Sequence, residues 1–262
     1  MRFYYAMTDD FRLQNISYPE KMRPISTPYF ATIDQQLLEP IFAQRFFYLG
    51  KGAQSYAFSS EDGVFVLKFF KFKHLKPNWL MQILPDFPPL IAWKKRYLQR
   101  KEKKFQSVFQ GYALAYQKNK ERAGLIYLQL EPNPTLQLQA RVIDKVGRER
   151  MVSLKNTCFL LQKKGIPLRE YLHPLFLAEQ IPLAKESLKA ILAMYVEEYT
   201  QGIYDRDHGL LQNTGFLGNT PFHLDVGKMV ENPSMQSPHI YKKDLEWVIW
   251  KINTWIKKQY PV

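Results

Sequence analysis

Thiol chemistry is nearly absent from this chain. Its one cysteine, Cys158, allows no internal disulfide and no Cys/His zinc spacing, which fits a reducing compartment. Cys158 lies in the apolar run Thr157-Cys158-Phe159-Leu160-Leu161 and reads as a buried structural thiol rather than a nucleophile. No stretch approaches the roughly 18 apolar residues of a membrane-spanning helix. The first ten residues, Met1 to Asp10, lack the apolar core of a signal peptide. A cytoplasmic protein without a transmembrane segment is therefore expected, with signal-less export left open. Internal repeats and low-complexity tracts are missing too.

Acidic side chains are in short supply. The chain has 24 Asp and Glu against 37 Lys and Arg, a net charge of +13. From Lys68 to Arg122 there are 14 basic and 3 acidic residues, a local excess of 11, so most of the charge sits in one segment. That asymmetry points to an acidic partner (nucleic acid, anionic lipid or an acidic protein) or to a solvated basic helix face. The 262 residues are 46% hydrophobic and 15% aromatic. This is enough to build one large domain or two lobes with real cores.

Residues 1–40 read as an irregular arm with Pro19, Pro24, Pro28 and Pro40, and with a short helix near 33–38. Phe46 to Leu49 form a strand that runs through Gly50-Lys51-Gly52-Ala53-Gln54-Ser55 into a second strand at Tyr56. Glu61-Asp62-Gly63 is a hairpin turn, because Asp-Gly suits the tight turns that strand twist favours. The third strand, 64–70, carries Lys68 between Leu67 and Phe69. A lysine buried there needs an anion, phosphate or carboxylate, because an unpaired buried charge is costly. The alternative is an edge strand that turns Lys68 to solvent. The two glycines would let backbone N–H groups approach a phosphate, although a plain hairpin also uses glycine.

A helical pattern follows Pro77, Pro85, Pro88 and Pro89. Phe105, Val108, Phe109, Tyr112 and Tyr116 recur at helical spacing as a core stripe, with Lys101, Lys103, Lys104 and Lys118 opposite. A second helix is expected over 121–130, stopped by Pro132-Asn133-Pro134. Residues 136–142 alternate as a half-buried strand, Val146-Gly147-Arg148 turns it, and 154–162 form the next. The break at Lys163-Lys164-Gly165-Ile166-Pro167 marks a lobe boundary. A short helical turn at 168–172, a helix over 185–201 capped by Gly202, and a last helix over 244–258 complete the chain.

The most informative stretch is Asp205-Arg206-Asp207-His208-Gly209-Leu210-Leu211-Gln212-Asn213, followed by Asp225-Val226-Gly227. One carboxylate can orient a nucleophile, while an amide oxygen and a second carboxylate are hard ligands suited to a phosphate-bound Mg²⁺. Two ordinary surface turns use the same residue types.

In this order, with a glycine loop, a strand lysine, a helix and then the Asp/Asn loops, the chain resembles the protein-kinase-like superfamily over about 44–230. The resemblance implies an α+β bilobal fold. A five-stranded antiparallel N-lobe sheet (41–162) would carry a basic helical insertion at about 75–118. It would lie between an arm (1–40) and a reduced helical C-lobe (163–262). It implies ATP and Mg²⁺ as cofactors. Gly50, Lys51, Gly52, Ala53, Gln54 and Ser55 would cover the phosphates, with Ser55 where a third glycine is usual. Lys68 would pair with them, with Glu121 as its helix partner and Glu102 as rival. Leu161, Gln162 and Lys163 would be the hinge that receives adenine. Asp207 would be the catalytic base, with Asp205 a rival because Asn213 stands six residues on rather than five. Asn213 and Asp225 would hold magnesium.

There are departures from the family pattern. Asp205 replaces the usual His, Asp-Val-Gly replaces Asp-Phe-Gly, and no Ala-Pro-Glu signature follows Gly227. The platform for protein substrates is therefore reduced. The resemblance implies a phosphotransferase acting on a small molecule, lipid or atypical acceptor. Two other readings remain: a catalytically inactive kinase-like scaffold, and a binder of nucleic acid or another acidic partner through the basic insertion. Oligomeric state is not indicated.

Overall fold

The computed structural model describes residues 2–19, 34–75, 87–207 and 209–260. Pro24, Pro28, Pro77, Pro85, His208 and Ile33, the first residue of the short helix expected in the arm, lie outside the described residues. The fold is mixed α+β and divides into two compact units. One comprises Met1–Phe109 with Leu125–Lys163, the other Gln110–Gly124 with Lys164–Val262.

In the first unit the arm is locally helical, with α1 (Arg2–Met7), α2 (Leu13–Ile16) and α3 (Gln35–Phe42). Asp34 starts α3 by accepting a hydrogen bond from the Gln36 N–H, which satisfies one of the orphan donors of a helix start. The strands β1 (Arg45–Lys51), β2 (Ser55–Ser60) and β3 (Phe65–Phe70) follow. Gly63 makes the β2–β3 turn with φ +73°. The long helix α4 (Pro88–Lys118) comes next, its residues to Phe109 in the first unit and the rest in the second. Then come β4 (Leu125–Gln129), β5 (Gln139–Ile143), β6 (Glu149–Ser153) and β7 (Phe159–Lys163).

These strands form one seven-stranded sheet in the order β4-β7-β3-β2-β1-β5-β6. Its neighbours pair antiparallel except β1 and β5, which are parallel. The expected five-stranded antiparallel sheet is therefore wrong in strand number and in direction. Two unexpected strands make the difference. Residues 121–130 are not helical: they form a turn and then β4, with Gly124 at φ +57° between them. A five-residue apolar run cannot be told from a buried helical segment by periodicity, and a left-handed glycine ends a helix. The other is β6, a mostly polar strand in which Val152 alone is buried. A 3₁₀ turn at Leu154–Asn156 then shortens the strand expected over 154–162 to β7.

Side-chain alternation gives this sheet two aromatic faces. On one, Tyr56 opposes Phe69, which opposes Phe159. Phe11 packs edge-on against Tyr56 and Phe58 at 5.2 and 5.0 Å, and Phe42 against Phe159 at 6.0 Å. On the other, Phe70 meets Phe109 of α4 at 4.7 Å. Each such ring, fully buried, contributes roughly 1.5–3 kcal/mol.

The second unit begins with β8 (Ile166–Pro167), α5 (Leu168–Leu177) and α6 (Ile181–Thr200). The chain continues through β9 (Ile203–Asp205), α7 (Leu210–Asn213), β10 (Thr214–Leu217), β11 (Thr220–His223) and β12 (Met229–Glu231) to α8 (Pro238–Gln259). Pro182 lets α6 begin four residues before the expected start, since a first-turn N–H has no helical partner to lose. Gly202, at φ +72°, follows its C-cap. Leu172, Ile191, Met194, Tyr195, Val248 and Ile252 centre the core. Of the stripe Leu245, Val248, Ile249, Ile252 and Ile256 that helical spacing expects to face inward on α8, Ile249 is instead exposed. Two small antiparallel sheets, β11-β10-β8 and β12-β9, carry the loops that matter for function. Among the described residues no helix is long and apolar enough to cross a membrane.

Candidate active site

Four of the sequence-predicted residues come together in the second unit. Asp205 ends β9, where it pairs with Met229 of β12 and is 3% exposed. Its Oδ1 accepts from the Asp207 backbone N–H at 2.9 Å, and its Oδ2 has no hydrogen-bond partner among the described residues. Burial raises the Asp205 pKa. The Asp207 N–H and His223 oppose the rise, while the nearby carboxylates of Asp207 and Asp225 add to it. Asp207 itself is exposed. One aspartate is thus an internal brace and the other faces solvent.

Asn213 closes α7. Its backbone carbonyl accepts from the N–H groups of Leu224, at 2.6 Å, and Asp225, at 3.3 Å. This ties the two proposed metal ligands through the main chain. A Cβ on Gly209 would collide with the Asn213 side-chain amide nitrogen, so a larger residue there would push the Asn213 side chain from its place.

Asp225 is exposed, and its Oδ1 accepts from the Tyr112 hydroxyl at 2.8 Å and the Gly227 N–H at 3.0 Å. Both bonds use the same oxygen, Oδ1. The Asp225–Gly227 turn rests directly on α4: a Cβ on Gly111 would lie 2.8 Å from the carbonyl carbon and oxygen of Gly227. Burial, and then the Asp225 charge, push the Tyr112 hydroxyl well above its usual pKa, so it remains a donor.

Beneath these loops lies a buried network that the sequence did not suggest. Glu198 of α6 accepts from the Asn119 amide at 2.6 Å and lies 2.7 Å from His223 Nε2. Burial opposes charging of His223, but Glu198 outweighs it and the pKa is raised. The signal was legible. Glu198 interrupts the buried run Ile191, Met194, Tyr195, Tyr199, where an apolar residue would be ordinary.

The remaining predicted residues belong to the first unit, except Glu121. In β3, Lys68 opposes Ala57 and Leu160 and is half-buried. The loop Gly50 to Ser55 is the β1–β2 hairpin tip, closed by a Gly52 N–H bond to the Ser55 carbonyl at 3.0 Å. A bulge at Tyr48/Gly50 sets the register so that Gly50 opposes Ala57 and Lys51 opposes Tyr56. Lys51 and Lys68 therefore face opposite sides of the sheet. Neither loop glycine has positive φ, and a Cβ on Gly50 would meet nothing within 4 Å. Neither is demanded by the backbone. In β7, Leu161 and Gln162 are buried and paired on both sides, whereas Lys163 is exposed at the strand end.

Glu121 needs correction. It lies exposed in the turn after α4 rather than on a helix, because the helix stops at Lys118. Glu102 is the one acidic residue of α4. It sits three and seven residues before the buried Phe105 and Phe109 and so shares their helix face.

The donors present are oxygens, from one amide and a few carboxylates. Among the described residues no group of three or more His, Cys, Asp or Glu forms a metal cage. A sparse oxygen set of this kind suits Mg²⁺, which keeps water and phosphate in most positions.

No family model matches the chain, and no curated protein matches it. Solved structures similar to it include two of low identity. One is the bifunctional kinase-methyltransferase WbdD, at 13% identity and TM-score 0.38, covering 71% of this chain and 34% of that one. The other is the Rv3197–erythromycin complex from Mycobacterium tuberculosis, at 10% identity and TM-score 0.36, covering 77% of this chain and 53% of that one. The chain thus matches about a third and about half of the lengths of these proteins.

Proposed function

We propose that the chain is an ATP- and Mg²⁺-dependent phosphotransferase of protein-kinase-like type. The observation that supports this reading best is the second unit's loop cluster. There an exposed carboxylate (Asp207), a buried bracing carboxylate (Asp205) and an Asn213–Asp225 pair joined through the main chain meet within one constellation. Asp207 receives or orients the acceptor hydroxyl, and Asp205 holds the Asp207 backbone from below. Asn213 and Asp225 hold the magnesium, which neutralises charge on the transferred phosphoryl group. Lys68 pairs with the nucleotide phosphates, Glu102 takes the partner role first given to Glu121, and the Gly50–Ser55 tip approaches the phosphates through its backbone. Adenine falls to the exposed Lys163 end of β7. Positioning and electrostatics carry nearly all the catalysis in such a reaction. The reduced helical unit favours a small-molecule, lipid or atypical acceptor.

Thermal unfolding with ATP and Mg²⁺ tests the reading. A ligand at 100-fold its Kd adds about 2.7 kcal/mol to native-state stability. The expected result is a clear upward shift for the wild type, lost in Lys68→Ala and Asp225→Ala. Asp207→Asn should keep the shift and lose transfer. A wild type indifferent to ATP with Mg²⁺ would overturn the proposal.

A further inference from the structure

The first unit contains a cavity of about 500 Å³ that shares Lys51, Gly52, Ala53 and Gln54 with the loop assigned to the nucleotide but involves neither Lys68 nor any residue of the Asp207–Asp225 cluster. Five lysines line it: Lys51 from β1, Lys71 and Lys73 from the segment after β3, and Lys101 and Lys104 from α4. Gly52, Ala53 and Gln54 of the β1–β2 tip also line it. Two aspartates of the arm, Asp9 and Asp10, face the lysines, leaving an excess of three positive charges.

Lys71 is the centre of this arrangement and is 4% exposed. Its ammonium lies 4.1 Å from the centroid of the Tyr56 ring and donates to the Gly52 carbonyl at 2.6 Å. It therefore points to the face of the sheet opposite Lys68. Asp9 meets Lys51 at 2.8 Å, and Asp10 meets Lys73 at 2.7 Å and Arg12 at 2.8 Å. Both aspartates hold left-handed backbone conformations, at φ 53° and 62°. Non-glycine residues stay in that region only where surrounding bonds impose it. Here Tyr56 and Asn15 both donate to the Asp10 carbonyl, at 2.7 and 2.8 Å, and Tyr48 donates to Asp9 at 2.9 Å.

We propose that this lysine-lined cavity binds a compact, multiply charged phosphate compound, with Lys71 as its buried anchor. The volume is that of a small-molecule site and is too small for a nucleic-acid duplex or a protein surface. Five lysines against two aspartates leave like charges whose repulsion an added anion would relieve. Burial first, then Lys51 and Lys73, hold the Lys71 amine down at about 8, so the pocket in its present state disfavours the charge that Lys71 carries. A bound phosphate would favour that charge and keep the proton on Lys71 to higher pH. The carboxylates of Asp9 and Asp10 already neutralise Lys51 and Lys73 in part, so a ligand must carry at least two negative charges to compete with them.

Calorimetric titration with inorganic tripolyphosphate, without magnesium, tests this site apart from the nucleotide site. Binding is expected for the wild type, for Lys68→Met and for the surface control Lys185→Met. Lys71→Met should weaken it more than tenfold and Lys73→Met about three- to tenfold. Because Lys71 loses its proton near pH 8, affinity should fall as the pH is raised from 7 to 9, where exposed lysines stay charged. Vesicles carrying a bisphosphorylated inositol lipid identify the source. Co-sedimentation lost in Lys71→Met assigns a lipid headgroup, and tripolyphosphate binding without co-sedimentation assigns a soluble phosphate compound. Absence of tripolyphosphate binding, or equal binding by wild type and both pocket variants, overturns the proposal. Failure of the ATP and Mg²⁺ response alone would leave it standing.

Discussion

At the scale of single residues, Lys68 and Lys71 show how one chemical rule gives two different outcomes. Each lysine interrupts an aromatic or apolar run, and each by that rule needs an anion. Only the strand register separates them: Lys71 shares the face of Tyr56, and Lys68 opposes Ala57 on the other. The Lys71 shift has a definite stability consequence. Its folded value of about 8 lies below its ordinary 10.5, so the native state gives up this proton before the unfolded chain does. The penalty is fully present below about pH 8 and is released as the pH rises toward 10.5. Lys71→Met should therefore stabilise the ligand-free protein at pH 7 by about 1–3 kcal/mol in urea unfolding, with the gain shrinking above pH 8. Lost bonding to Gly52 keeps the gain at the lower end. The carboxylate pair separates in the same way. Asp207→Asn should remove phosphoryl transfer with little effect on stability, because that side chain is exposed. Asp205→Ala should lower the urea midpoint, because it removes the acceptor that fixes the Asp207 backbone.

At the scale of elements, α4 does two things in one helix. Its N-terminal and middle turns carry most of its lysines and Glu102, and its later turns hold the Asp225–Gly227 turn through Gly111 and Tyr112. Gly111→Val must displace that backbone, so it should destabilise by about 1–3 kcal/mol and abolish the ATP and Mg²⁺ thermal shift. Tyr112→Phe, which keeps the volume and deletes one bond, should cost about 1 kcal/mol. The Glu198–His223 pair ties α6 to β11. Glu198→Ala leaves a buried imidazole without its counter-charge and should cost roughly 3–5 kcal/mol. Because the folded His223 pKa is raised, the pair's contribution is fully present below the ordinary histidine value and is lost as the pH climbs through the folded one. The gap in urea midpoint between wild type and Glu198→Gln should accordingly narrow at alkaline pH. Helices α6 and α8 were legible because their stripes are long. Strand β4 was not, because five apolar residues fit either period.

At the scale of the whole molecule, the net charge of +13 sets a background attraction for any polyanion. Non-specific binding of duplex DNA should weaken steeply, by a factor on the order of 10³ or more, between about 50 and 200 mM salt, as counterion release demands. Tripolyphosphate binding at Lys71 should depend on salt more weakly, since a buried charge is screened less than exposed ones. Filter binding and calorimetry across a salt series separate the two. The amino-acid sequence alone determined the mixed α+β class, the helical stripes, the glycine turn at Gly63, the buried thiol and the excess of basic charge. Each of these is written in local composition or in a short period. Only the tertiary structure decided the parallel β1–β5 pairing, the opposite facings of Lys51 and Lys68, the seat of Asp225 on Gly111 and Tyr112, and the five-lysine cavity. All of these depend on residues far apart in the chain meeting at a register that no local pattern specifies.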